Sequence, residues 1–98
     1  MRKPLNHIIN VLQKELPFVK SKYAVISLEL FGSYVRGEEQ DGSDVDILAT
    51  FSSAPTLIQF IQLENYLSAA LGLTVDLVMK DSLKKNMREQ IIRDAKII

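Results

Sequence analysis

Three carboxylates and one glycine-serine step carry the chemical possibilities of this chain. Asp44 and Asp46 stand two apart in SDVDIL, Asp76 stands in TVDLV, and Gly32-Ser33 precedes them in FGSYVRG. Residues two apart in an extended segment project to the same side, so Asp44 and Asp46 present paired carboxylates. Like charges that close raise each other's proton affinity unless a cation lies between them. A divalent ion meets that need, and hard oxygen donors select Mg²⁺ or Mn²⁺ over zinc. The bland alternative, two strand-edge acids in water, is the commoner origin of a bare Asp-x-Asp. Asp76 shifts the balance, because a charge in an apolar strand is costly unless it is paired, metal-bound or at an exposed strand end. If its strand lies beside SDVDIL, three carboxylates can hold two ions about 4 Å apart, the arrangement used for in-line displacement at phosphorus.

The glycine-serine step is the third part of the constellation. Gly32 ends a strand and Ser33 opens one or two helical turns, SYVRG. Backbone N–H groups at such a start attract anions, glycine permits close approach, and the hydroxyl adds a donor. Alone, the same step reads as a plain turn with a serine cap. Placed directly before paired carboxylates, it offers a phosphate cradle beside a metal site.

The elements that must position these groups follow from periodicity. Apolar residues at Leu5, Ile8, Ile9, Leu12, Leu16 and Val19 predict a helix from Pro4 to about Lys20, with Pro17 distorting or ending it. YAVISLELF predicts a strand running into Gly32. In SDVDILATF, alternation puts Val45, Ile47, Ala49 and Phe51 on one face and Asp44, Asp46, Leu48 and Thr50 on the other. A helix is expected from about Pro55 to Leu71, with Leu57, Phe60, Ile61, Leu67 and Leu71 buried and Gly72 as its stop. LTVDLVM is a third strand, and Leu83, Met87 and Ile91 mark a short closing helix. The order predicts an α/β (α+β) fold, a small mixed sheet of three or more strands covered by helices, over residues 1–98 as a single domain.

Composition narrows the classes. The chain has 98 residues, 47% hydrophobic and 24% charged, as expected of a globular protein with one core. No apolar run approaches the ~20 residues of a membrane helix, and the interrupted N-terminal stretch is not a signal peptide. The absence of cysteine excludes disulfides and makes a cytoplasmic location the default. Zero net charge argues against a dedicated nucleic-acid binder. Residues 29–50 carry six acids against Arg36, whereas residues 80–98 carry six bases against three acids. His7 reads as a surface or capping residue, Tyr34 as packing under the loop, and Lys80, Lys84, Lys85 and Arg88 as mostly solvated bases.

Gly32-Ser33, ten intervening residues and Asp44-Val45-Asp46 together resemble the signature of the polymerase-β-like nucleotidyltransferase superfamily. The fuller string GSYVRG…SDVDIL followed by VDLV is similar to its smallest branch, the minimal nucleotidyltransferases (MNT), over nearly the whole chain. That resemblance implies a polymerase-β palm-like fold and specific roles. Gly32 and Ser33 would hold the β/γ-phosphates of a nucleoside triphosphate, foremost ATP, while Asp44 and Asp46 would ligate two Mg²⁺ ions. Asp76 would complete the second ion's shell and help deprotonate an attacking hydroxyl. Arg36 would neutralise phosphate charge or brace the loop by pairing with Glu38, Asp41 or Glu29.

Larger superfamily members add domains that bind the acceptor, and only about twenty residues follow Asp76 here. The expected acceptor is therefore small or belongs to another protein. Minimal nucleotidyltransferases are typically paired with a HEPN-domain toxin, to whose tyrosine hydroxyl they transfer AMP as antitoxin. The same function is expected of this chain, with no membrane and no direct nucleic-acid partner. Two rival readings are a non-catalytic binder that neutralises a HEPN toxin and a small-molecule, aminoglycoside-type nucleotidyltransferase.

Overall fold

The computed structural model describes residues 4–40 and 42–98, Asn86 through its backbone alone. Asp41, expected on the loop surface and as one candidate partner of Arg36, lies outside the described residues, as do residues 1–3. In chain order the elements are α1 (Leu5–Tyr23), β1 (Val25–Phe31), α2 (Ser33–Arg36), β2 (Val45–Phe51), α3 (Leu57–Leu71) and β3 (Val75–Met79). A single 3-10 turn (Lys80–Ser82), α4 (Lys85–Asp94) and a two-residue strand β4 (Lys96–Ile97) follow.

The four strands form one mixed sheet in the order β3-β2-β1-β4. β1 is antiparallel to β2 and β4, and β2 runs parallel to β3. Parallel neighbours need a crossover, and α3 supplies it. α1 and α3 lie together on one face of the sheet. Ile8, Leu12 and Val19 from α1 and Leu63, Leu67 and Leu71 from α3 meet Leu28 and Leu30 of β1, Val45 and Ile47 of β2, and Val75 and Leu77 of β3. Across the two helices the Phe18 and Tyr66 rings stand 5.0 Å apart, and the Tyr66 hydroxyl donates to Glu15. Among the described residues no helix is long and apolar enough to cross a membrane.

Several sequence expectations need correction. Pro17 does not end α1, which continues to Tyr23. Proline removes one backbone donor, but buried Leu12 and Val19 on either side hold the helix against the sheet. In α3, Leu57 and Ile61 were expected in the core, yet they are 74% and 45% exposed. They share the helical stripe of Glu64 and Ser68, which faces the outer edge of β3. There the Glu64 carboxylate accepts from the Leu77 N–H at 2.9 Å and the Ser68 hydroxyl oxygen from the Val75 N–H at 3.1 Å. These side chains cover a sheet edge that would otherwise invite pairing with another strand. α3 begins at a Thr56 cap whose Oγ1 accepts from the Gln59 N–H, while Gln59 Oε1 accepts from the Thr56 N–H. That reciprocal pair, and Gly72 at φ 68°, fix both ends of the helix.

The closing helix starts at Lys85, leaving Leu83 ahead of it and Met87 52% exposed. β4 was not foreseen; two residues are too few to show a period.

Candidate active site

The sheet face turned away from α1 and α3 carries the acids. Register places Phe31 of β1 opposite Asp46 of β2, and Asp46 beside Asp76 of β3. Alternation then puts Glu29, Leu48 and Val78 in the next row of the same face. The expected adjacency of Asp46 and Asp76 is thus a cross-strand pair in a parallel ladder. Asp44 sits just before β2 and is exposed, and Asp76 is exposed on the edge strand.

Partial burial pushes the Asp46 carboxyl up from 3.8 to about 6, with the charges of Asp76 and Asp44 adding to the effect and Arg36 opposing it. Asp76 is the direct neighbour of Asp46 in the parallel β2–β3 ladder. Such a pair favours either a shared proton or an intervening cation. Its hard oxygen donors fit Mg²⁺ or Mn²⁺. Among the described residues, however, no three carboxylate or imidazole side chains are gathered closely enough to form a complete metal cage. The fit rests on the Asp46–Asp76 pair, with Asp44 contributing charge from its exposed position.

Gly32 is buried and packed against the Asp46 carboxylate. Its φ of 81° is open to glycine and rarely to other residues, and a Cβ there would lie 2.9 Å from Asp46 Cγ and overlap Oδ2. The glycine thus lets the turn approach the carboxylate. Ser33 follows at the first position of α2, a single turn whose Val35 and Arg36 N–H groups donate to the Gly32 carbonyl at 3.2 Å. Tyr34 is buried in the core, as its packing role required. Arg36 meets one of its expected loop partners, its Nε donating to Glu38 Oε1 at 3.1 Å, and its charge also reaches Asp46.

Two features escaped the sequence reading. Glu29 is buried and pairs with Lys80, Nζ to Oε2 at 3.0 Å, across β2. The signal was present, since an acid inside the apolar strand VISLELF demands a partner as Asp76 did. The second is a cavity of about 90 Å³ between the Gly32 turn and α4, lined by Phe31, Gly32, Arg36, Gln90, Ile91 and Asp94. No spacing in the sequence announces that α4 folds back on this turn. A larger apolar cavity of about 340 Å³, lined in part by Phe60, Val78 and Met79, lies toward the C-terminal end of β3, away from Asp46.

The profile of the nucleotidyltransferase domain matches residues 12–98. The protein adenylyltransferase MntA of Thermococcus cleftensis is 46% identical over 90 residues, covering 92% of this chain and 91% of that protein. A solved structure described as a minimal nucleotidyltransferase superposes with a TM-score of 0.82 at 29% identity, covering 97% of this chain and 96% of that one. A chain from the complex of a tri-AMPylated Shewanella oneidensis HEPN toxin with its MNT antitoxin gives a TM-score of 0.60 at 27% identity, over 94% of this chain and 66% of that one. With its mixed sheet, its glycine-serine turn and its cross-strand acids, this chain belongs to the nucleotidyltransferase domain family, in its minimal branch.

Proposed function

We propose that this chain is a protein adenylyltransferase that moves AMP from ATP to a tyrosine hydroxyl of a HEPN-type toxin and so acts as its antitoxin. The observation that carries the reading is the Asp46–Asp76 neighbourhood with Gly32 packed against Asp46. The named activity of the 46%-identical relative and the AMP-bearing toxin in the related complex support the choice of acceptor.

Each residue has a part. Gly32 and Ser33 hold the β/γ-phosphates, and Arg36 offsets phosphate charge while bracing the turn. Asp44, Asp46 and Asp76 would hold two Mg²⁺ ions, which would supply neutralisation of the phosphate charge. Asp76, whose side chain is exposed on β3, takes the proton of the attacking hydroxyl. The hydroxyl oxygen bonds to the α-phosphorus, the bond to the bridging oxygen breaks, and pyrophosphate leaves. The intact acid set disfavours a purely non-catalytic binder.

The test is to incubate the protein with Mg²⁺, α-labelled ATP and its co-purified partner, beside an Asp44→Ala/Asp46→Ala double variant. Label on the partner that disappears with the variant supports the enzyme. Neutralisation of the partner by the variant, with no label moved by either protein, defeats it.

A further inference from the structure

The Glu29–Lys80 pair lies on the same sheet face as the acids, and stability does not account for it. An ion pair buried this far gains little over apolar residues of the same size, because each charge first loses its water. Glu29 is held in β1, Lys80 leaves the end of β3, and the two meet across Leu48 of β2, which is fully buried. The pair lays the Lys80 stem over the sheet and fixes its ammonium there. The Lys80 side chain keeps 24% of its surface exposed, and Glu29 is its one ionic partner among the described residues. An ammonium has three N–H donors, so donors remain for a substrate.

Register fixes where this cation stands. Glu29 opposes Leu48 and Phe31 opposes Asp46, so the pair occupies the row next to Asp46 and Asp76, about 7 Å along the strands. Gly32, following Phe31, lies on the other side of that acid row. Arg36, and not Lys80, is the base that opposes the Asp46 shift, which sets the ammonium apart from the acids. The order along the face is turn, acids, ammonium. In displacement at phosphorus the attacking and leaving oxygens stand roughly in line, on opposite sides. With the β/γ-phosphates at the Gly32 turn, the leaving oxygen points toward the turn. The attacking hydroxyl then arrives from the side of Lys80.

Resting on the adenylyltransferase reading, we propose that Lys80, held by Glu29, is a catalytic residue that binds the attacking tyrosine oxygen of the acceptor protein. Its ammonium donates an N–H to that oxygen and keeps its own proton throughout. The phenolic proton passes to Asp76, the oxygen's electron pair bonds to the α-phosphorus, and pyrophosphate leaves with the electrons of the broken bond. A cation beside the oxygen favours its anionic form as the proton departs. Glu29 is a positioning residue that acts through Lys80.

The experiment compares wild type, Lys80→Met and Glu29→Gln/Lys80→Met, each with Mg²⁺, α-labelled ATP and the co-purified partner. The double variant strands no charge, and its melting curve confirms that it folds. Both variants should transfer label about tenfold or more slowly at saturating ATP, the scale of one hydrogen bond to a charged group. Calorimetry should show both binding ATP with Mg²⁺ within twofold of wild type. The deficit in transfer should narrow as pH rises from about 7 toward about 9.5, where the phenol begins to ionise unaided. A double variant that transfers at the wild-type rate overturns the proposal, since the pair then serves only the fold. ATP binding weakened tenfold also overturns it, by placing Lys80 on the nucleotide, and so does a deficit constant with pH. Wild type that moves no label defeats the adenylyltransferase reading and this proposal with it, whereas equal transfer by wild type and double variant defeats this proposal alone.

Discussion

Gly32 and Asp46 occupy each other's only room: a Cβ on the glycine would overlap Asp46 Oδ2 and stand 2.9 Å from its Cγ. The backbone at Gly32, φ 81°, adds strain to any other residue. Gly32→Ala must therefore displace either the turn or the Asp46 carboxylate, the two parts to which the proposed function gives phosphate and metal. The expected result is a fall of about 100-fold or more in kcat/KM, the scale attached to a 1 Å misplacement at a reacting centre. Steady-state adenylylation measures it. Activity within a few-fold of wild type would show that the contact does not constrain the site.

Asp46 also gives the protein a pH signature. Its carboxyl titrates near 6 in the fold against 3.8 ordinarily, because burial and the neighbouring acids disfavour its charge. The folded state then binds the proton more tightly than the unfolded state does. Its ionisation destabilises the fold fully above about pH 6, and the effect is relieved as pH falls through the window from 6 toward 3.8. In chelator-treated protein, Asp46→Asn should raise the melting temperature at pH 7.5, and its advantage over wild type should shrink between pH 6 and 4. An advantage constant with pH would remove Asp46 as the source.

The same raised proton affinity predicts a linked release. Mg²⁺ binding at pH 6 should expel a fraction of a proton from the Asp46–Asp76 pair, and at pH 8 almost none. Calorimetry of Mg²⁺ binding in two buffers of different ionisation enthalpy reads that number directly. Equal heats in both buffers at pH 6 would contradict it.

What the sequence disclosed and what it hid have separate physical causes. The placement of Asp44, Asp46, Gly32 and Ser33 was legible because they lie close together in one segment, and a strand's period of two keeps Asp44 and Asp46 on one side. The Asp46–Asp76 neighbourhood needed only that two apolar strands lie side by side. Leu57 and Ile61 misled because a helical stripe gives no sign of whether it meets a sheet's face or its edge. Leu48 was placed correctly on the acid face, yet it is fully buried. The cavity beside Gly32 is closed by Gln90, Ile91 and Asp94 only through the return of α4, a tertiary fact with no local pattern.

Glu29 and Lys80 illustrate such a long-range contact and yield a stability prediction. The Glu29 side chain is 7% exposed and that of Lys80 24%, so removing one partner strands a charge on a face with little water. Breaking a fully buried pair costs about 3–5 kcal/mol, and the partial exposure of Lys80 lowers the expectation to about 2 kcal/mol. Lys80→Met should lose that much in urea unfolding, and Glu29→Gln/Lys80→Met should regain most of it. A double variant no better than the single would show that the charge pairing is not what matters.

Ala24 offers the opposite kind of change. It ends α1 at φ 59° and ψ 33°, the one non-glycine residue with positive φ among those described. The conformation is imposed from outside: the Ala24 carbonyl accepts the Ser52 N–H at 2.8 Å and the Ser52 hydroxyl at 3.2 Å, tying the end of α1 to the end of β2. Left-handed backbone costs an L-residue roughly 1–2 kcal/mol, and glycine escapes that strain at some expense in unfolded-state entropy. Ala24→Gly is therefore expected to stabilise the protein by up to about 1 kcal/mol, raising its melting temperature by a few degrees. Ala24→Val, which adds a β-branched side chain to the same strained backbone, should destabilise it. If glycine lowers the melting temperature instead, the Ser52 hydrogen bonds hold this turn without strain and the cap is already relaxed.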